Sequence, residues 1–229
     1  MISMKYPNIL FDLDNTIFDT KENARLALRK MRIAKTFPFN EDQIHWWFQV
    51  NDLLWGQFED GTITRDQLLD RRFNTFFGKY DIHVDSAKFE EEFQYLFASE
   101  HELMPNAINM LDTVSKDHHL FVVSNGTKFK QYTQLDGANI TNYFDKIFLS
   151  EDIGYKKPDI QFFDAVKADL NENDNSKMLV VGDSLSADID GANRSHIDSV
   201  WYDTEHETNN SEIKPTYTID GLDELLDVI

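Results

Sequence analysis

Two aspartates, Asp12 and Asp14, follow the first apolar run of the chain, Ile9-Leu10-Phe11, in the segment Phe-Asp-Leu-Asp-Asn-Thr at residues 11–16. If that run is a buried strand, its side-chain period of two places both carboxylates on one side, where they face the same ligand. Such a pair suits a reaction in which one carboxylate attacks and the other moves a proton. Aspartate and asparagine also end strands as ordinary turn residues, so this stretch alone leaves both interpretations open.

Polar residues also follow two later apolar runs. Ser124-Asn125-Gly126 follows the run 120–123, and Gly182-Asp183-Ser184 follows the run 178–181. Lys157 lies in the loop between them, directly before a proline. In parallel sheets, ligands bind outside the carboxyl ends of the strands, so these residues are expected at one edge. Three carboxylates, a hydroxyl, a glycine turn and a cation are what phosphoryl transfer through an aspartyl intermediate requires.

Hydrophobic spacing predicts the elements that must position these residues. Four successive helices are expected over residues 20–100. The first is expected over residues 20–35, the second is opened by a capping pair at Asn40 and Gln43, the third by Thr64 and Gln67, and the fourth by Ser86. Strand-like runs then alternate with helical segments, one of which is expected to carry Pro158 in its first turn. This alternation predicts an α/β fold with a Rossmann-like parallel sheet covered on both faces. We therefore assign residues 1–18 and 101–229 to the core and residues 19–100 to an all-helical domain inserted after the first strand.

The amino-acid composition limits the classes of partner that the protein is expected to bind. The chain has 229 residues, no cysteine, 41 acidic against 22 basic residues and a net charge of -19. The electrostatic field of this negative charge repels nucleic acid and anionic membrane surfaces, so neither is expected to bind. The absence of cysteine excludes disulfides and thiolate chemistry, and no signal-like or membrane-spanning apolar stretch is present, which together favour a cytoplasmic protein. An anionic substrate would need a local positive site or a bound cation.

The order and spacing of these residues resemble the haloacid dehalogenase-like (HAD) hydrolase superfamily. Asp12-x-Asp14-x-Thr16 is similar to its first motif, Ser124 to its second, Lys157 before proline to its third, and Gly182-Asp183-Ser184 with Asp188 to its fourth. The resemblance also explains the helical insertion, which stands where the family places a smaller cap domain. Three cap segments further resemble the pyrimidine 5′-nucleotidase branch: Val50-Asn51-Asp52-Leu53-Leu54-Trp55, Asp60-Gly61-Thr62-Ile63-Thr64 and Arg71-Arg72-Phe73.

The resemblance implies a role for each motif residue. Asp12 would attack phosphorus and form an aspartyl phosphate, while Asp14 would protonate the leaving alkoxide and then activate water. Ser124 and Lys157 would complete the catalytic set. The residues implied to bind the phosphorylated substrate are Thr16, Ser124, Asn125, Gly126 and Lys157.

The same resemblance implies a Mg²⁺ cofactor. The ion would bind the carboxylates of Asp12 and Asp183 and the carbonyl oxygen of Asp14, with Asp188 in or just behind the ligand set. Physical chemistry supports a cation here, because a phosphate dianion about 4 Å from a carboxylate is repelled by several kcal/mol at an effective dielectric near 20. Mg²⁺ is a hard ion that prefers such oxygen ligands.

The sequence therefore predicts a Mg²⁺-dependent phosphomonoesterase, most specifically a 5′-nucleotidase of pyrimidine nucleoside monophosphates, acting as a monomer or homodimer. The alternatives are a phosphatase of other small metabolites such as sugar phosphates, and a sugar-phosphate mutase. Dehalogenation needs no proton donor two residues after the nucleophile, so Asp14 argues against it. A phosphoryl-accepting signalling domain would have its acceptor after a middle strand and no helical insertion. A non-catalytic binding protein would be expected to lack a motif residue, and none is missing.

Overall fold

The chain forms two compact units, which are described separately below. The computed structural model describes residues 5–206 and 208–229. One unit comprises Met1–Thr20 and His101–Ile229, and the other comprises Lys21–Glu100. The first unit contains a parallel sheet with helices and the second is helical, which confirms the predicted fold class.

A six-stranded sheet forms the first unit, and every neighbouring pair of strands is parallel. The strands are β1 (Asn8–Phe11), β2 (His119–Ser124), β3 (Lys146–Leu149), β4 (Met178–Gly182), β5 (Asp198–Tyr202) and β6 (Tyr217–Ile219). Their spatial order is β3-β2-β1-β4-β5-β6, so β1 lies in the interior of the sheet between β2 and β4. Residues after β1, β2 and β4 therefore emerge side by side.

Both faces of the sheet are buried, as a parallel sheet requires. Ile9 and Phe11 belong to one hydrophobic cluster, with Val122 and Val181 from the neighbouring strands. Leu10 lies between them in the chain and packs in the cluster on the opposite face. This alternation of two continuous apolar faces explains why the strands appear in the sequence as apolar runs.

Helices flank the sheet and make up the second unit. In chain order they are α1 (Thr20–Lys30), α2 (Glu41–Glu59), α3 (Arg65–Gly78), α4 (Ser86–Ser99), α5 (Ala107–Val114), α6 (Lys128–Gly137), α7 (Ser150–Ile153), α8 (Ile160–Leu170) and α9 (Asp190–Arg194). Short 3₁₀ turns cover Arg32–Lys35, Thr141–Tyr143, Asn175–Lys177 and Leu222–Asp227, and a π-helical turn covers Leu185–Ile189. Within the described ranges, no helix is both long and apolar enough to span a membrane.

Capping and aromatic packing define the helical unit. Both expected capping boxes are formed, by Asn40 with Gln43 at α2 and by Thr64 with Gln67 at α3. The helices enclose a cluster rich in aromatic rings, whose buried members include Phe37, Phe39, Trp47, Phe73, Phe76, Phe77 and Phe93. Aromatic rings supply much buried area per residue, so a small unit obtains its own hydrophobic core.

Three element boundaries differ from the predictions. Helix α1 ends at Lys30 rather than near residue 35, because Met31 takes an extended backbone conformation and buries its side chain. Asp85, rather than Ser86, caps α4 by accepting the Lys88 N–H. Pro158 precedes the N-cap of α8, Asp159, instead of lying in the first helical turn.

Candidate active site

Three neighbouring strands deliver the motif residues to one edge of the sheet. Asp12 directly follows β1, and its N–H donates to the Val181 carbonyl of β4 over 2.8 Å. Ser124 is the last residue of β2, and Gly182 is the last residue of β4, with Asp183 next in the chain. The carboxyl ends of adjacent parallel strands thus bring together groups that are more than a hundred residues apart in sequence.

Lys157 lies at the centre of this cluster and is almost completely buried, with 2 % of its surface exposed. Its Nζ donates to Asp12 Oδ1 over 2.5 Å, to Asp188 Oδ1 over 2.6 Å and to the Val123 carbonyl over 2.7 Å. Burial opposes the charged form, but the two carboxylates outweigh it and raise the pKa of Lys157 above its ordinary value. The buried ammonium therefore stays charged and neutralises part of the site.

Asn125 fixes the backbone that carries Lys157. Its amide nitrogen donates to the Lys157 carbonyl and its amide oxygen accepts the Lys157 N–H, both over 2.9 Å. The two bonds tie the loop before Pro158 to the end of β2. The Asn125 side chain, one of the expected substrate-binding groups, is thus used to position Lys157.

Asp12, Asp183 and Asp188 form a cluster in which one oxygen from each lies within 4.8 Å of the others. Burial, together with the neighbouring charges of Asp188 and Asp14, raises the pKa of Asp12 to about 7 despite the opposing effect of Lys157. Burial and the charges of Asp12 and Asp188 likewise raise the pKa of Asp183 well above its usual range. Burial is the main cause of both shifts, and the neighbouring carboxylates add to it.

The turn after β4 positions Asp188. Ser184 caps the π-helical turn by accepting the Ala187 N–H, and its own N–H donates to Asp188 Oδ2 over 3.1 Å. A Cβ atom placed on Gly182 would lie only 2.3 Å from the Asp188 carboxyl carbon. Glycine is needed at position 182 because the backbone and the Asp188 carboxylate approach so closely.

Asp14 is held by three side chains that the sequence did not single out. Its Oδ1 accepts from Lys130 Nζ and, over 2.8 Å, from Thr20 Oγ1, and its Oδ2 accepts from Gln131 Nε2 over 2.6 Å. Burial acts to raise the pKa of Asp14, but the Lys130 charge and the hydrogen bonds outweigh it and lower that pKa. The ionised form that results is the form that can accept a proton.

Ser124 accepts two hydrogen bonds through its hydroxyl oxygen. The donors are Gly126 N–H and Gln131 Nε2, each at 2.9 Å. Gly126 N–H is therefore engaged with Ser124 in this structure, and its binding of a phosphoryl oxygen stays a prediction. Gln131 contacts both Asp14 and Ser124 and so joins two of the motif regions.

Thr16, an expected substrate-binding residue, is fully buried. Its hydroxyl oxygen has no hydrogen-bond partner among the described residues. It lies in the turn after Asp14, where its N–H donates to the Leu13 carbonyl over 3.3 Å. The structure thus places Thr16 next to the motif in sequence without a polar contact to the other predicted site residues.

The missed residues Lys130 and Gln131 lie on the inward face of α6, where apolar side chains are usually expected. Lys130, Gln131 and Gln134 are buried there, while Phe129 is 54 % exposed. A buried lysine and two buried glutamines are rare on the inward face of a helix unless they have partners. Lys130 and Gln131 therefore belong to the site, whereas Leu135 of the same helix packs in the hydrophobic core.

Comparison with known proteins agrees with this geometry. Residues 6–196 match the family model described as haloacid dehalogenase-like hydrolase. The chain is 32% identical to YfnB of Bacillus subtilis, a protein assigned to the HAD hydrolases, over 98% of this chain and 96% of that one. This chain therefore belongs to the haloacid dehalogenase-like hydrolases. A crystal structure of YfnB, described as bound to magnesium, superimposes with a TM-score of 0.93 and covers 98% of this chain and 99% of that one.

Three further relatives are named for a substrate. PynA of Streptococcus pneumoniae, a pyrimidine 5′-nucleotidase, is 29% identical over 99% of this chain and 96% of its own length. YjjG of Escherichia coli, also a pyrimidine 5′-nucleotidase, is 28% identical over 97% of both chains. A glyceraldehyde 3-phosphate phosphatase of Methanothermobacter thermautotrophicus is 24% identical over 86% of this chain and 85% of that one.

Proposed function

We propose that this HAD hydrolase is a Mg²⁺-dependent phosphomonoesterase that works through an aspartyl phosphate on Asp12. The observation that carries the proposal is the convergence of Asp12, Asp183 and Asp188 around Lys157, with Asp14 two residues from Asp12. A nucleophilic carboxylate, a second carboxylate for proton transfer and a buried cation are together suited to phosphoryl transfer.

The donor set fits Mg²⁺. Four carboxylates, Asp12, Asp14, Asp183 and Asp188, face only two ammonium groups, Lys157 and Lys130, in the contacts described above. The excess negative charge is what a divalent cation with oxygen ligands would balance. We propose that the carboxylates of Asp12 and Asp183 and the Asp14 carbonyl oxygen hold the ion, with Asp188 beside them. When bound, Mg²⁺ would offset the repulsion between an incoming phosphate and Asp12.

Different residues of this chain would then carry out the separate steps of the reaction. A carboxylate oxygen of Asp12 forms the new bond to phosphorus while the ester oxygen departs with its electron pair. The departing oxygen takes a proton that Asp14, ionised at rest, has acquired from solvent or from the attacking water of the preceding turnover. Asp14 afterwards accepts a proton from the water that attacks the aspartyl phosphate, which frees Asp12. Ser124 supplies a donor for a phosphoryl oxygen. The three N–H groups of Lys157 are engaged with Asp12, Asp188 and the Val123 carbonyl in this structure, so Lys157 would have to exchange one of these bonds for one to a phosphoryl oxygen.

Pyrimidine nucleoside monophosphates are the substrate class that we propose. Two relatives that align over nearly the whole chain, PynA and YjjG, are named pyrimidine 5′-nucleotidases. The resemblance of the segments around Asn51, Gly61 and Arg72 to that branch supports the same class. We also propose that residues 19–100 act as the cap domain of the enzyme. A cytoplasmic location and a monomeric or homodimeric state remain predictions from the sequence.

Sugar phosphates are the second candidate class, because a relative at 24% identity is named a glyceraldehyde 3-phosphate phosphatase. That relative has a lower sequence identity than the nucleotidases, so it supports its substrate class less strongly. A sugar-phosphate mutase would need basic groups to hold a second phosphate, and Arg72, one candidate in the helical unit, is already paired with Glu90.

A substrate panel distinguishes these classes. Pyrimidine and purine nucleoside monophosphates and sugar phosphates should be compared by kcat/KM, each with Mg²⁺ and with the metal chelated. We expect pyrimidine nucleotides to give the highest kcat/KM, and every activity to require Mg²⁺. If hexose or triose phosphates surpass all the pyrimidine nucleotides, the substrate class is wrong, whereas metal-independent turnover would refute the mechanism.

A further inference from the structure

Gln131 of α6 is fully buried between two parts of the site. Its Nε2 donates to Asp14 Oδ2 over 2.6 Å and to Ser124 Oγ over 2.9 Å. A side-chain amide nitrogen carries two hydrogens, so these two bonds use both of them. Gln131 is therefore saturated as a donor, and both of its partners are residues that the proposed reaction uses.

The orientation of this amide is set by its surroundings. The Gln131 oxygen, Oε1, is buried without a hydrogen-bond partner among the residues the structure describes. Turning the amide over would place that oxygen against the Asp14 carboxylate, which can only accept hydrogen bonds in its ionised form. A Cβ atom on Gly126 would lie 2.0 Å from Gln131 Nε2, so the loop after β2 closes tightly around the amide nitrogen. An unsatisfied buried oxygen is unfavourable for stability, which indicates that the amide is placed for its donors.

The two donors also determine what Ser124 can do. Its Oγ accepts from Gln131 Nε2 and from the Gly126 N–H, each at 2.9 Å, and a hydroxyl oxygen has two acceptor positions. Both positions are thus occupied. The hydroxyl hydrogen has no acceptor among the described residues, so it remains available to a ligand oxygen.

We propose that Gln131 is a positioning residue that makes Ser124 an obligate hydrogen-bond donor to a phosphoryl oxygen and holds Asp14 in place for proton transfer. This inference rests on the proposed function. As the Asp12 oxygen bonds to phosphorus, the ester bond breaks and its electron pair leaves on the alkoxide. The alkoxide takes a proton that Asp14 acquired from solvent or from the attacking water of the preceding turnover. Gln131 itself exchanges no proton and forms no bond to the substrate.

Two variants and a matched control test this role. Gln131→Met keeps the length and removes both donors. Gln131→Glu keeps the shape but sets acceptors against Asp14 and lets the Ser124 hydroxyl turn inward. Gln134→Met is the control, because Gln134 is also fully buried on α6 and no described contact joins it to Asp14 or Ser124.

The measurements are the kcat and KM of each variant with p-nitrophenyl phosphate and with a nucleoside monophosphate, and the inhibition constant of inorganic phosphate. The aryl leaving group needs little protonation, whereas the alkoxide depends on Asp14. We expect Gln131→Met to lower kcat/KM for the nucleotide on the order of 100-fold and for the aryl ester by about 10-fold or less. Phosphate should bind about 10-fold more weakly, because the Ser124 hydroxyl is no longer directed to it. Gln131→Glu should be worse than Gln131→Met on all three measures.

The outcomes separate this inference from the proposed function. If both Gln131 variants lose activity equally on the two esters, or behave as Gln134→Met does, Gln131 is only structural and the inference falls while the function stands. If the unmodified protein shows no Mg²⁺-dependent phosphatase activity, both the function and the inference fall. A Gln131→Glu variant as active as the unmodified protein would also overturn the inference.

Discussion

The candidate site depends on a single buried ammonium between two carboxylates. Lys157 Nζ lies 2.5 Å from Asp12 Oδ1 and 2.6 Å from Asp188 Oδ1, and 2 % of the Lys157 surface is exposed. Removing one member of a buried ion pair is costly because the other charge is left without compensation. Here two charges would lose their partner together, and Asp183 lies in the same cluster.

We therefore predict that Lys157→Met destabilises the metal-free protein by about 3–5 kcal/mol. Methionine keeps the length and apolar stem of the side chain but removes the charge that faces Asp12 and Asp188. Urea unfolding with the metal chelated should show the loss, and saturating Mg²⁺ should restore more stability to the variant than to the unmodified protein. A destabilisation below about 1 kcal/mol, unaffected by Mg²⁺, would mean that the carboxylates do not need this lysine.

At the scale of single elements, the end of β4 is tightly constrained. Gly182 closes the strand, and a Cβ atom there would overlap the Asp188 side chain, with its nearest atoms at 2.3 Å. Asp188 cannot withdraw freely, because Lys157 and the Ser184 N–H hold its two oxygens. The close approach of strand and turn thus fixes a candidate metal ligand.

Gly182→Ala should consequently cost about 1–3 kcal/mol of stability through overpacking and should weaken Mg²⁺ binding by displacing Asp188. Calorimetric titration with Mg²⁺ and thermal unfolding measure the two effects. Gly56→Ala is the matched control, because a Cβ atom on this residue of α2 meets nothing within 4 Å. The control should gain about 0.5–1 kcal/mol from helix propensity, with Mg²⁺ affinity unchanged. Equal Mg²⁺ affinity in both variants would contradict the role assigned to Gly182.

Helix α6 shows which part of the site the sequence could not predict. Its apolar residues Phe129 and Tyr132 suggest an inward face, yet Phe129 is 54 % exposed and Lys130 and Gln131 are buried. Hydrophobic periodicity identifies the helix faces that pack against an apolar core. Helix α6 instead directs polar side chains at Asp14, so this pattern does not reveal its inward face. By contrast, Asp12, Lys157 and Asp183 were predictable, because each follows an apolar strand or stands in a motif of fixed spacing.

At the scale of the whole molecule, the strands with long apolar runs were also predictable, since a parallel sheet buried on both faces leaves a strong pattern. Strand β6 (Tyr217–Ile219) was not, because it has three residues and follows a polar loop that carries no periodic signal. The helix α7 (Ser150–Ile153) is also short, with four residues. Short elements at the margin of a fold are specified by their tertiary partners rather than by local pattern.

The net charge of -19 affects how an anionic substrate can approach the site. A phosphate ester approaching such a protein is repelled at long range, so it must be attracted by positive charge confined to the site. Lys157 provides part of that charge, and the carboxylates around it are suited to hold the rest as a divalent cation. The proposed mechanism therefore requires that Asp12, at the centre of this arrangement, forms a covalent bond to the substrate phosphorus.

Trapping that bond is the most direct test. The protein should be mixed with Mg²⁺ and excess substrate, quenched in acid during turnover, and digested for mass spectrometry. We predict one phosphorylated peptide containing Asp12, labile to hydroxylamine, formed only with Mg²⁺ and absent from a folded but inactive Asp12→Asn variant. Mg²⁺-dependent hydrolysis by Asp12→Asn, or a phosphoryl group found on another residue instead, would refute the proposed mechanism.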